Sequence, residues 1–67
     1  MKATIVMNDA QRTTIIINEV KKVSHYTAVN GVSYTTIKYF NNIIYNGVKQ
    51  VDLEKYATRD IYLITIE

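Results

Sequence analysis

Short alternating apolar segments, separated by asparagine-centred breaks, run the length of this chain. Near the start, Ala3, Ile5 and Met7 share one parity, and near the end Tyr62, Ile64 and Ile66 do the same. A two-residue period is the signature of a β-strand, whose successive side chains point to opposite faces. Proline is absent, and both glycines follow an asparagine, as Asn30-Gly31 and Asn46-Gly47. Asn-Gly between β-forming segments is a strong hairpin signal, because a type I′ turn needs positive φ at both central positions. Asn41-Asn42 is read as a weaker turn of the same kind, and Asn8–Arg12 as a looser one.

These breaks predict strands at Lys2–Met7, Thr13–Thr27 with a bend near Lys21-Lys22, Val32–Phe40, Ile43–Gln50 and Asp60–Glu67. Their richness in Ile, Val, Thr and Tyr suits a pleated, half-buried surface. Asp52 is placed to cap a short helical turn through Leu53–Ala57. The predicted fold is therefore all-β. It is a single domain over residues 1–67, forming a small five-stranded antiparallel barrel or curled sheet with one short helical turn before the last strand. In layout it resembles SH3-like small barrels, and an OB-like barrel would satisfy the same order.

The alternation is not clean. Val6 opposes the Ile5 face, Ile61 and Leu63 oppose the Ile64 face, and Ile15, Ile16 and Ile17 put apolar groups on both sides of one strand. A half-solvated antiparallel strand alternates more strictly. Either barrel closure and the helical turn cover the second face, or a subunit does. Ile16, Ile61 and Leu63 are the interface residues that the second option names, and a homo-oligomer, most simply a dimer, is the expectation. Burying such a side chain contributes roughly 1.5–3 kcal/mol. A core of this size rarely supplies more than about 3–5 kcal/mol, so association would matter.

The Asn30-Gly31 hairpin has a different character. If Val29 faces Val32 across a two-residue turn, Thr27 pairs with Tyr34, His25 with Thr36 and Val23 with Lys38. The opposite face then pairs Tyr26 with Thr35, Ser24 with Ile37 and Lys22 with Tyr39. Both faces would mix basic and aromatic groups, leaving the ribbon free for contact.

Charge and composition narrow the chemistry. With eight Lys/Arg against six Asp/Glu, the chain is only mildly basic. It has no cysteine, so disulfides and thiolate metal sites are excluded, and the single histidine, His25, argues against a metal centre. No apolar run approaches the roughly 20 residues of a membrane helix. Met1–Ile5 shows no signal-peptide character. A cytoplasmic protein without membrane contact is the expectation. Frequent Ile, Asn, Lys and Tyr reflect AT-rich codons, as in low-GC Gram-positive bacteria and their phages.

No catalytic constellation emerges. Ser24 and His25 are strand neighbours whose side chains point apart, and Ser33 lies nearer the turn, out of reach of His25. Asp52, Glu54 and Asp60 are the closest carboxylates, but they read as a cap, a solvated side chain and a strand-entry residue. Two glycines cannot build a phosphate-cradling loop. No cofactor and no catalytic residue is expected.

The remaining candidates are interaction surfaces. Lys21, Lys22, His25, Tyr26, Tyr34, Lys38 and Tyr39 cluster on one hairpin. Basic groups interleaved with aromatics suit a phosphate backbone and stacked bases. Tyrosine is equally favoured at protein interfaces, and a two-sided hairpin can add a strand to a partner's sheet. The favoured expectation is a non-enzymatic interaction module, a phage or mobile-element accessory protein that acts as a binder or inhibitor of a host protein. The alternative is a module for nucleic acid or a nucleotide-type ligand.

Overall fold

The computed structural model describes all 67 residues, Met1–Glu67. Six strands form: β1 (Ala3–Met7), β2 (Thr14–Ile17), β3 (Val20–Thr27), β4 (Ser33–Tyr45), β5 (Val48–Ala57) and β6 (Ile61–Ile66). They make two three-stranded antiparallel sheets, ordered β2-β1-β6 and β3-β4-β5. The fold is thus all-β, with a three-residue 3₁₀ turn at Thr58–Asp60 just before the last strand. Of the expected five-stranded barrel or curled sheet, six strands form instead of five, and the two sheets are not joined into a closed barrel.

Three local choices account for the difference. The long second strand breaks at Asn18-Glu19, where Glu19 takes a left-handed φ of 55°, rather than at Lys21-Lys22. Lys21 instead occupies a bulge, since Val20 faces Tyr39 while Lys22 faces Lys38. This break moves β3 into the second sheet. The two sheets are stitched there by Val20 N–H donating to the Met1 carbonyl (2.8 Å), while Phe40 N–H donates to the Glu19 carbonyl (3.1 Å) and extends the β3–β4 pairing.

Asn41-Asn42 does not reverse the chain. Phe40 faces Val51 and Ile44 faces Lys49, so Asn41, Asn42 and Ile43 stand opposite Gln50 alone. The extra residues form a bulge. Asn42 absorbs it at φ 66°, and the Asn41 side chain accepts a hydrogen bond from Ile43 N–H at 3.0 Å. The expected third and fourth strands are therefore one 13-residue strand, β4.

Asp52–Ala57 is strand, not helix. An isolated turn of five residues has little intrinsic stability, whereas here it completes a ladder along β4 from Tyr34↔Ala57 to Tyr39↔Asp52. Asp52 accepts from the Asn41 amide at 3.2 Å instead of capping. The Asn46-Gly47 turn forms as expected, with both residues at positive φ (49° and 76°) between Tyr45 and Val48.

The inner faces of the sheets meet over Ala3, Ile5, Ile17, Val20 and Ile37, flanked by Met7, Ile15, Val23, Tyr39, Tyr56, Ile61 and Ile64. A bulge in β6 explains the mixed parity there. Val6 faces Leu63 but Met7 faces Ile61, leaving Tyr62 as the extra residue, under the Arg12 guanidinium at 3.9 Å from its ring centre. Ile61 is consequently turned inward against the core. Of the three residues expected at an oligomer interface, only Ile16 and Leu63 share the exposed outer face of the first sheet. The molecule measures 40 × 30 × 17 Å. Its most exposed apolar cluster is the β4–β5 hairpin end, where Ile43, Ile44, Tyr45 and Val48 are 59–68% exposed. No helix is long and apolar enough to cross a membrane.

Candidate functional site

The loop of the first hairpin sets the site's geometry. Ala28 N–H donates to the Val32 carbonyl and Gly31 N–H to the Ala28 carbonyl, both at 2.9 Å. Only Gly31 has positive φ (83°), and the Asn30 side chain accepts from Val32 N–H at 2.9 Å. This is a three-residue loop with its left-handed residue last, not the two-residue type I′ turn expected for Asn-Gly. Thr27 accordingly faces Ser33, and the register moves by one residue throughout: Tyr26↔Tyr34, His25↔Thr35, Ser24↔Thr36, Val23↔Ile37 and Lys22↔Lys38.

A one-residue shift regroups every side chain across the pair. The expected cluster splits. Lys22, Tyr26, Tyr34 and Lys38 fall on the outer face of the second sheet, with Lys21 at the bulge beside it. His25 and Tyr39 fall on the inner side. There His25 Nδ1 shares a 2.9 Å hydrogen bond with the buried Thr35 hydroxyl, which also meets the Thr58 hydroxyl at 2.9 Å. Tyr39 packs against the core and donates from its hydroxyl to Glu54 at 3.3 Å.

What remains on the outer face is coherent. The Tyr26 and Tyr34 rings lie 5.6 Å apart at 34°, the Lys55 ammonium sits 4.4 Å from the centre of the Tyr34 ring, and Lys22 stands directly opposite Lys38. Toward the other end, Phe40 has Lys21 and Lys49 each 5.8 Å from its ring centre. No Asp or Glu occupies an outer-face position of β3, β4 or β5. The nearest acid, Glu19, lies at the sheet corner and is paired with Lys49 at 3.2 Å. Asp52 and Glu54 face inward, in register with Tyr39 and Ile37.

Phe40, Lys49 and Lys55 are missing from the sequence-derived cluster. Their signal is nevertheless in the chain. Along β5, Lys49, Val51, Leu53 and Lys55 alternate with Gln50, Asp52, Glu54 and Tyr56, so the basic residues fall on one parity and the acidic ones on the other. Assigning Leu53–Ala57 to a helical turn conceals this segregation.

The inner acids act on their tyrosines. Removal from water, followed by the negative charges of Glu54 and Asp52, pushes the Tyr39 hydroxyl above its ordinary pKa. Burial and then Glu54 do the same for Tyr56. Of the serines, Ser24 lies on the outer face and Ser33 is hydrogen-bonded to the Thr27 hydroxyl at 3.0 Å. No family model, curated protein or solved structure matches this chain.

Proposed function

We propose that this chain is a small non-enzymatic module that binds single-stranded nucleic acid on the outer face of β3, β4 and β5. The observation that carries the reading is the separation of charge by face. Lys22, Lys38 and Lys55 flank a tilted Tyr26–Tyr34 pair on a surface without carboxylates. A net charge of +2 understates such a surface, because the acids lie elsewhere. Aromatic faces receive unpaired bases whatever their identity, and the lysines track the phosphates between them. Lys22 opposite Lys38 supports the reading further, since like charges directly across strands destabilise a sheet unless an anion offsets them.

Fluorescence anisotropy with a labelled single-stranded oligonucleotide tests it. With three lysines engaged, log affinity should fall against log salt with a slope of roughly −2. Absence of binding at low salt would remove the proposal.

A protein partner is the second reading, and a different surface favours it. Ile43, Ile44, Tyr45 and Val48 expose a contiguous apolar hairpin end, of a kind that marks interaction sites. A second copy of this chain is the simplest such partner, giving a homodimer. Light scattering coupled to size exclusion tests this, and a monomer at tens of micromolar that becomes no more soluble on replacing Ile44 and Tyr45 by Ser would count against it.

A further inference from the structure

Between the two sheets, away from the lysine face, lies an open cleft of about 480 Å³. Ile15 and Ile17 of β2 line it from one side, and Tyr39, Phe40, Glu54 and Tyr56 from the other. This volume falls in the range of small-molecule sites, which are mostly apolar with a few polar groups that fix orientation. The polar lining is Glu54, the two half-buried tyrosines and the amides of Asn18, Asn41 and Asn42. Glu54 is its one charged group, and no lysine, arginine or histidine lines the cleft. The only internal donor to Glu54 is the Tyr39 hydroxyl, at the long distance of 3.3 Å. No cation of the chain pairs with this carboxylate.

We propose that the cleft binds a small organic cation, an ammonium group on an apolar body, with the charge held at Glu54 against the Tyr39 and Tyr56 rings. A cation at such a place gains from the carboxylate and from the ring faces together. The polarity of the cleft sets the orientation. Phe40 already has the Lys21 and Lys49 ammoniums 5.8 Å from its ring centre, so the ligand's charge is directed to the Glu54 end. Its apolar body then lies toward Ile15 and Ile17. The carboxylate end of this site lies on the opposite side of β5 from the nucleic-acid face, because β5 presents Glu54 and Tyr56 on one side and Lys55 on the other.

The test is a titration followed by NMR, using benzyltrimethylammonium, benzyl alcohol and benzoate as cationic, neutral and anionic probes. The cation should bind with a dissociation constant on the order of 1 mM. It should shift the Tyr39 and Tyr56 ring signals and bind about tenfold tighter than the alcohol, while benzoate leaves them unmoved. Glu54→Gln should abolish the preference for the cation. Tyr39→Phe keeps the ring and removes the hydroxyl that competes for Glu54, so it should leave cation binding equal or tighter. Equal affinity for the three probes, no shift at these tyrosines, or weaker cation binding in Tyr39→Phe with an unchanged melting temperature would overturn the proposal. If Glu54→Gln does not fold, the probe series and Tyr39→Phe decide alone.

Discussion

Tyr26 and Tyr34 face each other directly across β3 and β4, with ring centres 5.6 Å apart and planes tilted by 34°. Tyr26 remains 44% exposed, so the pair presents aromatic surface to solvent rather than filling the core. Base stacking on such a platform is worth about 1–3 kcal/mol by alanine substitution. Tyr34→Ala is therefore expected to weaken oligonucleotide binding by roughly 5- to 150-fold in an anisotropy titration. A cross-strand aromatic pair contributes about 0.2–1 kcal/mol to the sheet, so the loss of stability should be small by comparison. Unfolding at ambient temperature would instead give the pair a structural role.

Lys22 and Lys38 make the opposite prediction for stability and for binding. They are directly opposed in register with no acid beside them on that face. Lys38→Gln removes a like-charge contact, and it should stabilise the free protein by up to about 1 kcal/mol. The same change should weaken oligonucleotide binding and reduce the salt slope by about 0.7. Urea melts and a salt titration of the two proteins check both signs. A structural lysine would lower stability when replaced and leave the slope unchanged.

The Asp9 turn supplies a pH dependence. Asp9 accepts from the Thr13 hydroxyl at 2.6 Å and from Thr13 N–H at 2.9 Å, and these bonds hold its carboxyl below the ordinary aspartate range. A carboxyl with a depressed folded-state pKa adds stability that is present above the unfolded value and lost as pH falls through the folded one. Asp9→Ala should therefore melt below the parent at pH 7, and the two melting temperatures should converge as pH drops below 3.8. A gap that stays constant with pH would show that ionisation of Asp9 contributes nothing.

Most of the fold is legible in the chain, and two of the exceptions share a cause. Strand-forming segments, the Asn46-Gly47 turn and the inward face of Ala3, Ile5 and Met7 follow from alternation and turn chemistry, which are local. Those two arise where asparagine allows more than one answer. Asn41-Asn42 can turn a chain or bulge a strand, and the long facing strand β5 makes the bulge the better-paired choice. Asn30-Gly31 can supply both left-handed residues of a loop or only the last, and those choices differ by one residue of register. That residue decides whether Lys22, Tyr26, Tyr34 and Lys38 share a face, so these four are legible as candidates, while their grouping, the loss of His25 and Tyr39 to the inner side and the addition of Phe40, Lys49 and Lys55 are not. Ile61 was drawn inward by a bulge at Tyr62 that no local pattern specifies.

The turn itself can be tested. Gly47 has φ 76°, and a Cβ there would meet no neighbouring atom within 4 Å. Its need for glycine is thus conformational rather than steric crowding. Gly47→Ala should cost about 1–2 kcal/mol, the penalty of the left-handed region for an ordinary residue. Asn42, at φ 66°, offers the reverse case. Asn42→Gly places a residue without that penalty at the bulge and should leave stability close to the parent's. Chemical denaturation of the two variants separates them, and an unchanged midpoint for Gly47→Ala would mean that the hairpin end contributes nothing to the cooperative unit.

Ile37 is where the two sheets depend on each other most. It lies at the centre of β4, fully buried, between Val23 and Glu54 on its neighbouring strands and against the Ala3–Ile5 face of the first sheet. Truncating a buried isoleucine to alanine costs roughly 2–5 kcal/mol, because the cavity only partly collapses. A core of this size supplies about 3–5 kcal/mol in all. Ile37→Ala is therefore expected to leave the isolated chain largely unfolded by circular dichroism at 25 °C. If copies associate through the apolar hairpin end, the fraction folded should rise with protein concentration, because a partner that binds only the folded form stabilises it by mass action. A folded Ile37→Ala with the parent's melting temperature would show that the sheets do not pack through this residue.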